Sequence, residues 1–76
     1  MNMDELKAAI AAALNVPVDQ VTDDSSGQTL PQWDSIGHIN LVLALEKHFN
    51  TSFTVDEIMA MRDVATIRKV LEGKLS

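Results

Sequence analysis

Carboxylate, hydroxyl and imidazole groups fall together at one point of this 76-residue chain, in Trp33-Asp34-Ser35-Ile36-Gly37-His38. An apolar run comes directly after it, Ile39-Asn40-Leu41-Val42-Leu43-Ala44-Leu45. Asp, Ser and His are the residue types of a nucleophilic triad. Such a triad needs a serine–base–acid relay and an oxyanion hole around a reacting atom. Asp34, Ser35 and His38 sit too close along one helix start to form that relay, so the chain is not expected to be an enzyme. Two readings of Ser35 stand: it caps a helix, or its hydroxyl is a point of attachment. Asp34 and Ser35 can each serve as the cap.

Metal chemistry finds no support. His38 and His48 lack the i, i+4 spacing of a helical metal pair. The loop from Asp23 approaches a calcium loop, but Gln28 and Asp34 stand where that loop needs Gly and Glu. The chain has no cysteine, which removes disulfides and thiolate sites; any thiol must come from a cofactor.

Charge and hydropathy narrow the classes further. The formal net charge is −5. Lys7, Lys47, Arg62, Arg68, Lys69 and Lys74 are scattered and form no phosphate-tracking stripe, so no nucleic-acid partner is expected. An acidic surface favours partners with basic patches. No apolar stretch approaches the roughly 18 residues of a membrane span. Met1-Asn2-Met3-Asp4-Glu5 lacks the positive start of a secretion signal. A cytoplasmic monomer is expected, with residues 1–76 as a single domain.

Hydrophobic spacing gives the elements that position Ser35. Leu6, Ile10 and Leu14 predict a first helix over Met3 to Leu14, with Asp4 and Glu5 in its first turn and Asn15 and Pro17 ending it. Val16 to Trp33 reads as a long polar loop, tacked down by Val16, Val18, Val21 and Leu30. Loops this long in small domains are often functional. A second helix opens at Asp34 or Ser35 and runs to about Phe49. A short third helix covers Asp56 to Met61 behind a Thr54 cap. Asp63 caps a last helix from Val64 to about Leu71, with Gly73 and Lys74 suited to its end. The expected fold is all-α: a small bundle of three main helices plus one short helix, with a long first loop.

The second helix carries two apolar stripes. Val42, Leu45 and Phe49 form one, with Leu41 beside it; Ile36, Ile39 and Leu43 form the other, with Asn40 in its row. One stripe suffices to pack a surface helix. The second is either an exposed docking face beside Ser35 or, if the helix is central, more core. Trp33 is the only tryptophan. Its leading role is to staple the loop onto the bundle, the alternative being a partner contact.

With these features in place, the chain resembles the acyl carrier protein family. Asp34-Ser35-Ile36, then Leu41-Val42, Leu45-Glu46 and Phe49, is similar to the family's Asp-Ser-Leu helix start. The helix order, the long first loop, the Phe49–Phe53 spacing and Asp63-Val64 extend the likeness over nearly the whole chain. The resemblance implies that Ser35 carries 4′-phosphopantetheine through a phosphodiester. It also implies a docking face of Asp34, Ile36, Ile39, Asn40, Leu43 and Glu46, extended by Asp56 and Glu57. Leu41, Val42, Leu45, Phe49, Ile58, Met61 and Ile67 would line the interior. Met59 and Met61 are read first as ordinary core filling. The implied partners are a phosphopantetheinyl transferase and enzymes that load, transfer or condense acyl or aminoacyl thioesters. The rival expectation is an unmodified helical interaction module.

The chain departs from the fatty-acid carriers of this family. Gly37, His38 and Asn40 stand where acids are common, and Leu30-Pro31-Gln32-Trp33 replaces the usual Gly-containing approach to the serine. Trp-Asp-Ser-Ile-Gly-His is more similar to stand-alone carriers of specialised pathways, such as polyketide or surface-polysaccharide acyl transfer. Docking is therefore expected to lean on apolar contact more than on charge. His38 is expected to be solvated or capping.

Overall fold

The computed structural model describes residues 2–75. Among these residues, four α-helices make up the fold: α1 (Met3–Leu14), α2 (Ser35–Phe49), α3 (Val55–Ala60) and α4 (Val64–Leu75). A single 3-10 turn, Val18–Gln20, interrupts the long connection between α1 and α2. The expected small all-α bundle is what forms.

The helix ends are built by short polar side chains. Asn2 caps α1 by accepting the Asp4 amide at 2.7 Å. Asn15 and Asn50 close α1 and α2 in the left-handed region, at φ 59° and 52°. Asparagine tolerates this conformation better than most residues. Thr54 opens α3 in a complete capping box, its hydroxyl accepting the Glu57 amide while the Glu57 carboxylate accepts the Thr54 amide. Asp63 opens α4 by accepting the Thr66 amide at 2.7 Å.

Helix α4 extends past the expected end near Leu71 and runs through Gly73 to Leu75. Glycine in a helix costs up to about 1 kcal/mol. The extra turn gains a contact at Lys74, which pairs with Glu57 at 2.8 Å and lies 5.5 Å from the centre of the Phe53 ring. That contact ties the end of α4 to α3.

Leu6, Ile10, Leu41, Leu45, Met61, Val64, Ile67 and Leu71 are fully buried and form the centre of the core. Val16, Val21 and Leu30 anchor the long connection as expected, but Val18 does not. It begins the 3-10 turn and points to solvent. Met61 is core, whereas Met59 is 61% exposed and fills none of it. Phe49 and Ile58 are half-buried against the core's edge.

The first connection is pinned in the middle of its polar stretch, at Ser25 and Ser26. Buried Ser25 accepts the Thr22 amide at 2.8 Å, and its carbonyl accepts the Val64 amide at 3.1 Å. An isolated antiparallel bridge pairs Ser26 with Asp63. The loop thus lies against the α3–α4 turn, and this contact brings residues 26–28 to the side of Ser35.

Candidate functional site

Asp34 decides how the start of α2 is made. Its backbone is extended, and its Oδ1 accepts the Gly37 amide at 2.8 Å while its carbonyl accepts the His38 amide. Asp34 is therefore the cap, and Ser35 is the first helical residue. The Ser35 hydroxyl is exposed and makes no hydrogen bond among the described residues. The amides of Ser35 and Ile36 likewise have no protein acceptor there. These are the free N–H groups expected at a helix start, and they favour an anionic oxygen.

The approach to Ser35 is fixed by close packing at two glycines. A Cβ on Gly37 would fall on the Gln32 carbonyl oxygen, and one on Gly27 would lie 2.8 Å from the Trp33 carbonyl oxygen. Residues 32–33 are thus wedged between the loop and the first turn of α2. Neither glycine needs a positive φ. Both are required for space. Nothing in the sequence marks them for this role, because close approach leaves no periodic signal.

Trp33 and His38 form the second fixing. The indole of Trp33 is buried, and its Nε1–H donates to Nδ1 of His38 at 2.9 Å. Indole is only a donor, so Nδ1 must be the unprotonated nitrogen and Nε2 carries the hydrogen. Nε2–H then donates to the Ile58 carbonyl on α3 at 2.8 Å. Contrary to expectation, His38 is neither solvated nor a cap. It is half-buried and links Trp33, the residue before the cap, to the first turn of α2 and to α3. Burial also confirms Trp33 as the staple.

The second apolar stripe of α2 is exposed: Ile36 by 72%, Ile39 by 58% and Leu43 by 58%. Asn40 and Asp56 are exposed as well, while Leu41, Val42 and Leu45 take the core. Glu46 and Glu57 stand apart from the other expected docking residues. Glu46 is half-buried and accepts the Phe53 amide at 2.9 Å, and Glu57 is held by Thr54 and Lys74. The hydrogen bond from Lys74, then the Thr54 amide, holds the Glu57 carboxyl below its usual range. Thr66 lowers that of Asp63 in the same way, through its hydroxyl and amide.

Ser35 lies on the rim of an open groove of about 750 Å³. Gln28 and Trp33, from the first connection, and Ile58, Met59 and Arg62, from α3 and the turn after it, line the groove as well. Residues 4–71 match the phosphopantetheine attachment site family. The chain belongs to that family. No curated protein matches it in sequence. Members of the phosphopantetheine attachment site family are carriers, and their domain is the place of covalent 4′-phosphopantetheine attachment. Carrier domains of this kind are not themselves catalysts. They meet modifying and acyl-processing enzymes as partners. An exposed, unbonded hydroxyl beside unpaired amides fits the phosphate end of such an arm. Among the described residues no helix is long and apolar enough to cross a membrane.

Proposed function

We propose that Ser35 is the attachment residue and that this single carrier domain presents acyl or aminoacyl groups, as thioesters, to enzymes of a specialised biosynthetic pathway. The observation that carries the reading is the division of labour at the start of α2. Asp34 does the capping, which leaves the Ser35 hydroxyl exposed and without a structural task. The arm would supply the thiol that a chain without cysteine lacks. Ser35 Oγ would form the new P–O ester bond with coenzyme A as donor. The phosphoanhydride bond of coenzyme A would break and its nucleotide portion leave, with the hydroxyl proton going to the transferase.

Partners would dock on Ile36, Ile39 and Leu43, flanked by Asp34, Asn40 and Asp56. Glu46 and Glu57 have carboxylates engaged within the bundle, so their part in docking would be the smaller. Mass spectrometry after incubation with coenzyme A, Mg²⁺ and a broad-specificity phosphopantetheinyl transferase tests the attachment. The expected result is one added phosphopantetheine on the wild type and none on Ser35→Ala. An addition that survives Ser35→Ala overturns the assignment.

A further inference from the structure

The groove beside Ser35 holds an unusual balance of charge. Three charged side chains line it: Asp34, Arg62 and Asp63. Each acid already has one carboxylate oxygen committed to a helix start, Asp34 to the Gly37 amide and Asp63 to the Thr66 amide. Arg62 is different. Its Nε donates to the Met59 carbonyl at 3.3 Å, and its terminal guanidinium nitrogens have no partner among the described residues. It forms no ion pair there, although the chain as a whole carries a net charge of −5. An unpaired guanidinium in an acidic protein, in the same groove as the attachment serine, is complementary to a phosphodiester.

The rest of the groove suits the amide, methyl and methylene groups that lie beyond the phosphate in a pantetheine chain. The Gln28 side-chain amide is exposed and unpartnered among the described residues, and can both donate to and accept from an amide. Ile58 and Met59 offer apolar surface to the methyl and methylene groups. His38 presents no free nitrogen, because Trp33 and the Ile58 carbonyl occupy both. This wall is therefore set before any arm arrives.

We propose that the groove is the resting site of the arm, with Arg62 holding the phosphodiester on Ser35 and the pantetheine chain lying between Gln28 and Met59. This rests on the assignment of Ser35 as the attachment residue. The arm would then leave the protein in a defined direction along α3 instead of sampling solvent freely. Arg62 acts here as a positioning residue.

The test compares ¹⁵N-labelled protein before and after loading with phosphopantetheine, by two-dimensional NMR and by mass. The Gln28 side-chain amide, the Trp33 indole N–H and the Arg62 Nε–H signals are expected to shift on loading. Contacts from the pantetheine methyl groups to the Met59 methyl are expected in the loaded protein. R62K should keep the shifts at Gln28 and Trp33. R62Q should lose them with the same added mass; Arg62 is exposed, so the fold should tolerate the change. Shifts confined to residues 34–37, or shifts at Gln28 and Trp33 that persist in R62Q, overturn the groove as resting site and leave the carrier reading intact. Absence of any added mass on the wild type overturns both.

Discussion

At the scale of single residues, Asp34 and Ser35 have the same apparent aptitude and opposite roles. Both residue types cap helices well. The Asp34 carboxylate takes the Gly37 amide, so nothing in the bundle depends on the Ser35 hydroxyl. Asp34→Ala should cost about 1 kcal/mol of stability. Ser35→Ala should stay within roughly 0.5 kcal/mol of wild type, as an exposed substitution does. Urea unfolding of the two variants checks this, and a larger loss in Ser35→Ala would restore the cap reading. Gly37 is the more fragile neighbour. Gly37→Ala drives a methyl group into the Gln32 carbonyl, which is backbone and cannot swing aside. A loss of about 1–3 kcal/mol is expected, typical of overpacking, although alanine is the better helix former. A neutral Gly37→Ala in the same urea titration would show that residues 32–33 are not wedged.

Among the elements, α3 depends most on its ends. It has six residues and buries none of them fully. Isolated helices this short are not stable in water. The capping box at Thr54, the Glu57–Lys74 pair and the His38–Ile58 bond hold it. Glu57 and Asp63 have carboxyl groups that titrate lower in the folded chain than in the unfolded one. Such groups stabilise the fold above their unfolded values, and that contribution is lost as pH falls through the folded values. Stability should therefore decline on the acid side, below the ordinary carboxylate range near pH 4. Glu57→Gln should flatten this decline, as monitored by helical circular dichroism from pH 7 to pH 3. An unchanged acid limb in that variant would remove the pair from the account. The bounds of α1 and α2 were legible in the sequence because their apolar periods are long and asparagine stops them. The end of α4 was not, since Gly73 reads as a terminator and the Lys74 contact that carries the helix past it comes from residues far along the chain. The bond from Trp33 through His38 to Ile58 was hidden for the same reason: its last link spans 20 positions and leaves no spacing pattern.

For the molecule as a whole, size sets how partners can be met. A chain of 76 residues buries roughly 60% of the surface its unfolded form exposes, so much of its surface stays open to contact. What it can offer is a fixed surface beside a tether. The core takes one stripe of α2, and Ile36, Ile39 and Leu43 stay outside it. Leaving three large apolar side chains exposed on one short face gains nothing for folding, and such faces commonly mark contact surfaces. With Gly37, His38 and Asn40 in place of acids, contact on the proposed docking face would rest on apolar burial more than on charge. Leu43→Glu puts a charge into that face. Modification by the transferase should fall at least about tenfold in kcat/KM, the loss of a central contact worth about 1.4 kcal/mol or more. Thermal stability should be almost unchanged, because Leu43 is already 58% exposed. Raising the ionic strength should have the smaller effect on the same rate, since salt screens charged contacts and leaves apolar ones in place. If Leu43→Glu unfolds the protein, the stripe is core; if it folds and is modified at the wild-type rate, the docking surface lies elsewhere on the bundle.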